Sequence, residues 1–113
     1  MSAVFQVSRH EGETRTFHLA GELDLSSIDA LVRAVAPSLD GPGDLVLNLS
    51  KLQFVDSTGI RAFLDFGRQL RGRGRLVLEA PTRPVRRVFD LMGLVAGDPQ
   101  TFDVRDSPEP TLA

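Results

Sequence analysis

The chain has 113 residues, 42% of them apolar and 25% charged, with a net charge of −2 and no cysteine. These values fit a single globular domain with its own core, and they exclude a wholly disordered chain, a disulfide framework and a thiolate metal site. No apolar run approaches the roughly 18 residues of a membrane span and no basic-then-apolar leader opens the sequence, so the chain reads as cytoplasmic, and its lack of cysteine is compatible with a reducing compartment.

In chain order, Ala3 to Ser8 alternates with Ala3, Phe5 and Val7 on one side, and Thr16 to Leu19 alternates with Phe17 and Leu19 inward. Glu11-Gly12-Glu13 supplies a turn between them, which predicts an antiparallel hairpin. His10 and His18 fall on its outer surface as solvated residues, without a metal-ligand spacing. Gly21 to Leu25 leads into Ser26, and Asp29 three residues later resembles a capping box, so a helix is expected to start there. Ile28, Leu31, Val32 and Val35 recur at helical spacing until Pro37 stops the helix. Asp40 to Asp44 is a loop by composition, and Leu45-Val46-Leu47-Asn48-Leu49 is an apolar strand.

Asp56-Ser57-Thr58-Gly59 then opens an amphipathic helix running to about Gly72, with Ile60, Phe63, Leu64, Gly67 and Leu70 on one face. Gly67 on that apolar face implies close approach of the helix to the sheet, since glycine costs about 1 kcal/mol of helix propensity. Arg75 to Ala80 reads as a short buried strand, which completes a βαβ unit with a parallel pair. Thr82 is a candidate N-cap for a third helix that carries Pro84 in its first turn and Val85, Val88, Phe89 and Met92 inside, with Met92 as core filler and Gly93 closing the helix. Thr101 to Val104 fits a last edge strand, and two prolines among residues 106–113 make a frayed, flexible tail. The fold class is therefore α/β: one domain over residues 1–105, with a small mixed sheet, an N-terminal antiparallel hairpin, parallel βαβ crossovers and helices packed on the sheet.

For function, no phosphate-binding glycine loop of either standard pattern is present. Ser57 sits at a strand-to-helix turn, as a hydrolase nucleophile does, but its context is Asp-Ser-Thr-Gly and both histidines lie on the hairpin. A carboxylate dyad of Asp24 and Asp56 is open if their two loops meet. So is plain helix capping, because Asp56, Ser57 and Thr58 can each accept from a free helical N–H group. Three capping residues exceed what one helix needs, which leaves at least one hydroxyl for a partner. Acids outnumber bases from His10 to Ile60 and arginines dominate from Arg61 to Arg87. That asymmetry suits either an interaction surface or solvated helix faces. The arginines of Arg68 to Arg75 lack interleaved aromatics, so nucleic acid is not expected as a partner.

Gly21-Glu22-Leu23-Asp24, Asn48-Leu49-Ser50, Val55-Asp56-Ser57-Thr58-Gly59-Ile60 and the run Ala80 to Leu94 together resemble the STAS domain family, specifically the bacterial anti-sigma factor antagonists. The resemblance spans nearly the whole chain in order. It implies a non-enzymatic partner switch without a cofactor or metal. The unphosphorylated protein would bind an anti-sigma factor that is also a serine kinase and so free the sigma factor. Phosphorylation at Ser57, with Thr58 the lesser acceptor, would block binding, and a serine phosphatase would reverse it. Asp24, Asp56, Ser57, Thr58 and Gly59 are the implied partner-binding residues. The alternatives are an adaptor STAS subunit of a stress-signalling or lipid-transport complex and, further off, a serine hydrolase using Ser57. Two features depart from the family pattern: the terminal helix common there is replaced by the Pro108 and Pro110 tail, and the arginine stretch is heavier than the pattern demands.

Overall fold

The computed structural model describes residues 4–10 and 15–106. The expected turn at Glu11 to Glu13, Ala3 and the tail from Ser107 onward lie outside the described residues. The elements run β1 (Gln6–Arg9), β2 (Thr16–Leu23), α1 (Ile28–Val35), β3 (Leu45–Val55), α2 (Ser57–Leu70), β4 (Leu76–Glu79), α3 (Arg83–Leu91), β5 (Gly97–Asp98) and β6 (Phe102–Arg105). They form one six-stranded sheet of order β1-β2-β3-β4-β6-β5, in which β2, β3, β4 and β6 are parallel neighbours and β1 and β5 add antiparallel edges. The mixed α/β architecture expected from the sequence is the one observed.

Each parallel step is bridged by one helix, because a parallel connection must return over the sheet. Along β2 every second residue, from Phe17 through Leu19 and Gly21 to Leu23, is buried, the strict alternation of a half-covered sheet. The core joins these residues to Leu31 and Val35 of α1, Ile60, Phe63, Phe66 and Leu70 of α2, Val85 and Phe89 of α3, and Phe102. At the far end, Arg15 donates to the carbonyls of Ser38, Pro42 and Gly43, which ties down the loop before β3.

Strand β3 is the element that most exceeds expectation. The apolar run stops at Leu49, yet the strand continues to Val55, with Leu52 and Val55 buried and Ser50, Lys51, Gln53 and Phe54 exposed. Its partner on one side, β4, ends where Glu79 pairs with Asn48, whereas β2 accompanies it through register shifts until Leu23 faces Val55. Residues 49–55 therefore overhang the sheet on the β4 side. A buried network marks the point of departure: Asn48 Nδ2 donates to Glu79 Oε1 at 3.1 Å, Arg105 donates to Glu79 Oε2 at 2.5 Å, and Asn48 Oδ1 accepts from the Ser50 N–H and hydroxyl. Helix α3 packs on β3, and Thr82 at its N-cap reaches the overhang at Leu52.

Several local expectations are corrected. Helix α1 starts at Ile28 with Ser27 at its N-cap and no side-chain cap bond; the Ser26–Asp29 capping box does not form because the Ser26 hydroxyl turns back to Asp24. Thr82 occupies the N-cap position of α3 but donates its hydroxyl to the Leu52 carbonyl at 2.7 Å, supplying a partner that the overhanging strand lacks. Val32 is exposed, and Met92 is not core filler: it is 46% exposed beyond the end of α3, while Gly93 closes that helix at a φ of 72°. The last long strand is not an edge, since the two-residue β5 covers it. The close approach at Gly67 is real, but it is made to the turn that enters β6: a Cβ there would lie 2.2 Å from the Thr101 carbonyl oxygen. The two histidines do stand together, with His18 Nε2 3.3 Å from His10 Nδ1 and ring centroids 5.2 Å apart.

Candidate functional site

The overhang brings the sequence-derived site residues to one rim. Leu23 and Val55 are paired strand ends, and the Asp56 N–H donates to the Leu23 carbonyl at 3.2 Å. Asp24 and Asp56, the residues that follow those two strand ends, are thereby held side by side at the C-terminal edge of β2 and β3. This is the edge at which open parallel sheets place their sites.

Of the three capping candidates, the structure selects Asp56. Its backbone is extended, and one carboxylate oxygen, Oδ1, accepts from the Thr58 N–H at 2.9 Å and the Gly59 N–H at 3.3 Å. Ser57, the first residue of α2, is exposed, and among the described residues its hydroxyl has no hydrogen-bond partner. Thr58 is half-buried. Gly59 is buried, and its lack of a side chain is what seats the helix: a Cβ would lie 2.5 Å from Val55 Cγ2 and 2.9 Å from Leu23 Cδ2. Capping thus accounts for Asp56 and packing for Gly59, and neither accounts for Ser57.

Asp24 is organised by its own turn. Its Oδ1 accepts from the Ser26 N–H at 3.0 Å and the Ser26 hydroxyl at 2.7 Å, and its N–H donates to the Ser27 hydroxyl oxygen at 3.0 Å. The Ser26 hydroxyl is the main reason that the Asp24 carboxyl lies below its ordinary 3.8; desolvation is the next largest influence and opposes it, while the Ser26 N–H and Ser27 add to the lowering. The two carboxylates are each held in a turn of their own, and among the described residues no hydrogen bond joins them, so they do not share a proton as a dyad would. The triad geometry is also missing, because His18 pairs with Asn48 while Ser57 follows Val55, roughly 23 Å farther along the strand at about 3.3 Å per residue.

Ser57 opens onto a cleft of about 570 Å³ that it shares with Leu25, Thr58, Ile60, Arg61, Leu64 and Met92. Leu25 is 76% exposed, and its chain neighbours Asp24, Ser26 and Ser27 line a separate depression. Sequence reasoning missed Leu25, Arg61 and Met92 as site residues. The one available signal was Met92 falling at the end of its helix, next to Gly93, where a side chain has left the core face. Among the described residues no group of three or more His, Asp or Glu could hold a metal ion, and no helix is long and apolar enough to cross a membrane.

A family model described as Mlab, STAS domain, matches residues 7–96. The chain belongs to the STAS domain family. An anti-sigma F factor antagonist of Lysinibacillus sphaericus is 30% identical over 93 residues, covering 80% of each chain. Among solved structures, the anti-sigma factor antagonist SpoIIAA in its unphosphorylated form superposes with a TM-score of 0.65 at 27% identity, over 81% of this chain and 83% of that one. An anti-sigma factor antagonist from Mycobacterium paratuberculosis gives a TM-score of 0.72 at 27% identity, over 96% and 87%. The relatives and structural neighbours of this STAS domain are thus anti-sigma factor antagonists, a regulatory rather than an enzymatic class.

Proposed function

We propose that this STAS domain is an anti-sigma factor antagonist that works by partner switching at Ser57. The observation that carries the reading is the unengaged Ser57 hydroxyl, exposed on the rim of an apolar cleft while Asp56 alone supplies the helix cap. The unmodified protein binds an anti-sigma factor serine kinase through that rim, with Asp24, Asp56, Ser57 and Thr58 at the contact and Gly59 seating the turn beneath it, and the sigma factor is released. The kinase then transfers a phosphoryl group from ATP: the Ser57 Oγ–P bond forms, the bond to the bridging oxygen of ADP breaks, and the hydroxyl proton passes to a base of the kinase. The phosphate adds about −1.5 to −2 charges beside Asp56 in a surface that must be desolvated for docking, so binding is lost while the fold stays. A serine phosphatase restores the binding form. The relatives' description as antagonists of anti-sigma factors, and a structural neighbour distinguished by its unphosphorylated state, support this reading over an adaptor role in another complex.

The test is incubation of the purified protein with its cognate anti-sigma kinase and ATP, followed by mass mapping of the modified residue. Modification at Ser57 and its loss in Ser57→Ala are expected. An unmodified Ser57 together with no affinity between the two proteins would remove the proposal. A serine hydrolase would instead be labelled at Ser57 by a serine-reactive fluorophosphonate.

A further inference from the structure

The Ser57 cleft contains one charged wall. Among the described residues that line it, Arg61 alone carries a charge; the others are Leu25, Ser57, Thr58, Ile60, Leu64 and Met92. Arg61 lies four residues after Ser57, one helical turn along the same face, where Cβ atoms stand about 5–6 Å apart. Long side chains on a helix lean back towards its N-terminus, which favours a reach of Arg61 towards Ser57, and both residues line the one cleft. It is exposed and has no hydrogen-bond or ion-pair partner among the described residues. The acid that could claim it from the next turn, Asp65, is taken by Arg68 at 2.8 Å.

At the helix end, the Asp56 carboxylate already accepts from the Thr58 and Gly59 N–H groups, so those two donors are taken. A phosphate on Ser57 would therefore meet a carboxylate on one side and an unclaimed guanidinium on the other. We infer that Arg61 is the built-in counter-ion of phosphorylated Ser57, drawing the phosphate across the mouth of the cleft and over its apolar floor. A guanidinium suits this role because its planar fork matches phosphate oxygens two at a time. The off state is then more than added charge: the ion pair masks the half-buried Leu64 and the exposed Met92, the apolar surface that a partner would use. This inference rests on Ser57 as the acceptor of the switch.

The test installs phosphoserine at position 57 during synthesis, so that no kinase is needed, and follows the second ionisation of the phosphate by phosphorus NMR. In the otherwise wild-type protein it should fall below the usual value of about 6. In Arg61→Gln it should rise by a few tenths of a pH unit, the size expected for an exposed ion pair. Arg61→Lys should recover part of that shift. Arg71→Gln removes an equal charge at the far end of the same helix without releasing Asp65, and should leave the phosphate unchanged. Identical titrations for the wild type and Arg61→Gln, or equal shifts in the Arg61 and Arg71 variants, would overturn the inference. Failure of the kinase assay at Ser57 would remove the switch and leave this titration unaffected, so the two failures are distinguishable.

Discussion

Asp56, Ser57 and Thr58 have similar capping chemistry, and the sequence alone does not rank them. Geometry does, because the residue that leaves β3 in an extended conformation is the one whose side chain reaches back over the first turn. Replacing Asp56 by alanine should lower the unfolding free energy by about 1 kcal/mol, read in urea denaturation, whereas Ser57→Ala should leave it within about 0.5 kcal/mol of the wild type. Equal losses in both would mean that Ser57 shares the cap. Asp24 carries a different prediction. Its folded carboxyl is held down, chiefly by the Ser26 hydroxyl, so its contribution to stability is complete above the ordinary 3.8 and is lost as the pH falls through the lower folded value. Ser26→Ala should raise the Asp24 ionisation towards 3.8 in an NMR titration and reduce the acid-side dependence of stability; an unmoved Asp24 would contradict the turn. The acid pair at 24 and 56 was visible in the sequence, but its adjacency was not, since it depends on Leu23 pairing with Val55 after two register shifts.

Helices α2 and α3 show what periodicity can and cannot convey. Ile60, Phe63, Gly67 and Leu70 were readable as one buried face, whereas Ala62 and Phe66 were missed because α2 is flanked on more than one side, by α1 and by the turn entering β6. Gly67 decides how near that turn can come. Ala at this position gains about 1 kcal/mol of helix propensity, but its Cβ would fall 2.2 Å from the backbone oxygen of Thr101, and backbone cannot swing aside as a side chain can. Overpacking of this kind costs about 1–3 kcal/mol, so Gly67→Ala should be net destabilising in thermal and urea melts. A stabilised variant would show that α2 and the turn are not in contact. Strand β3 was legible only to Leu49, because its continuation buries every third residue, Leu49, Leu52 and Val55, through a bulged register instead of alternating. Met92 was misread for a related reason: the helical pattern of α3 was extended past Leu91, where the chain has already turned out towards the Ser57 cleft.

Across the whole molecule, the fold class, the parallel crossovers and the family were legible because the ordered set of motifs constrains topology more than any one of them. The charge asymmetry was legible as a pattern but not as a surface. Part of the arginine-rich stretch is paired within the chain, with Arg68 on Asp65, Arg75 on Asp103 and Arg86 on Asp106, while Arg105 beyond it holds Glu79. What remains at the Ser57 rim is one arginine, two carboxylates in hydrogen-bonded turns and an apolar cleft. Such a surface can change its binding by changing charge without disturbing the core beneath, since Ser57 is exposed while Gly59 and Ile60 are buried. Ser57→Asp should accordingly melt with the wild-type transition while binding the kinase more weakly, and Ser57→Ala should bind and resist modification. The most direct test is calorimetric titration of the cognate anti-sigma kinase with the unmodified protein and with the same protein phosphorylated at Ser57. Desolvating the phosphate in the interface, or breaking its pair with Arg61 to do so, costs about 2–5 kcal/mol, so phosphorylation should weaken binding by at least about 30-fold with the melting transition unchanged. Equal affinity for the two forms would contradict the account.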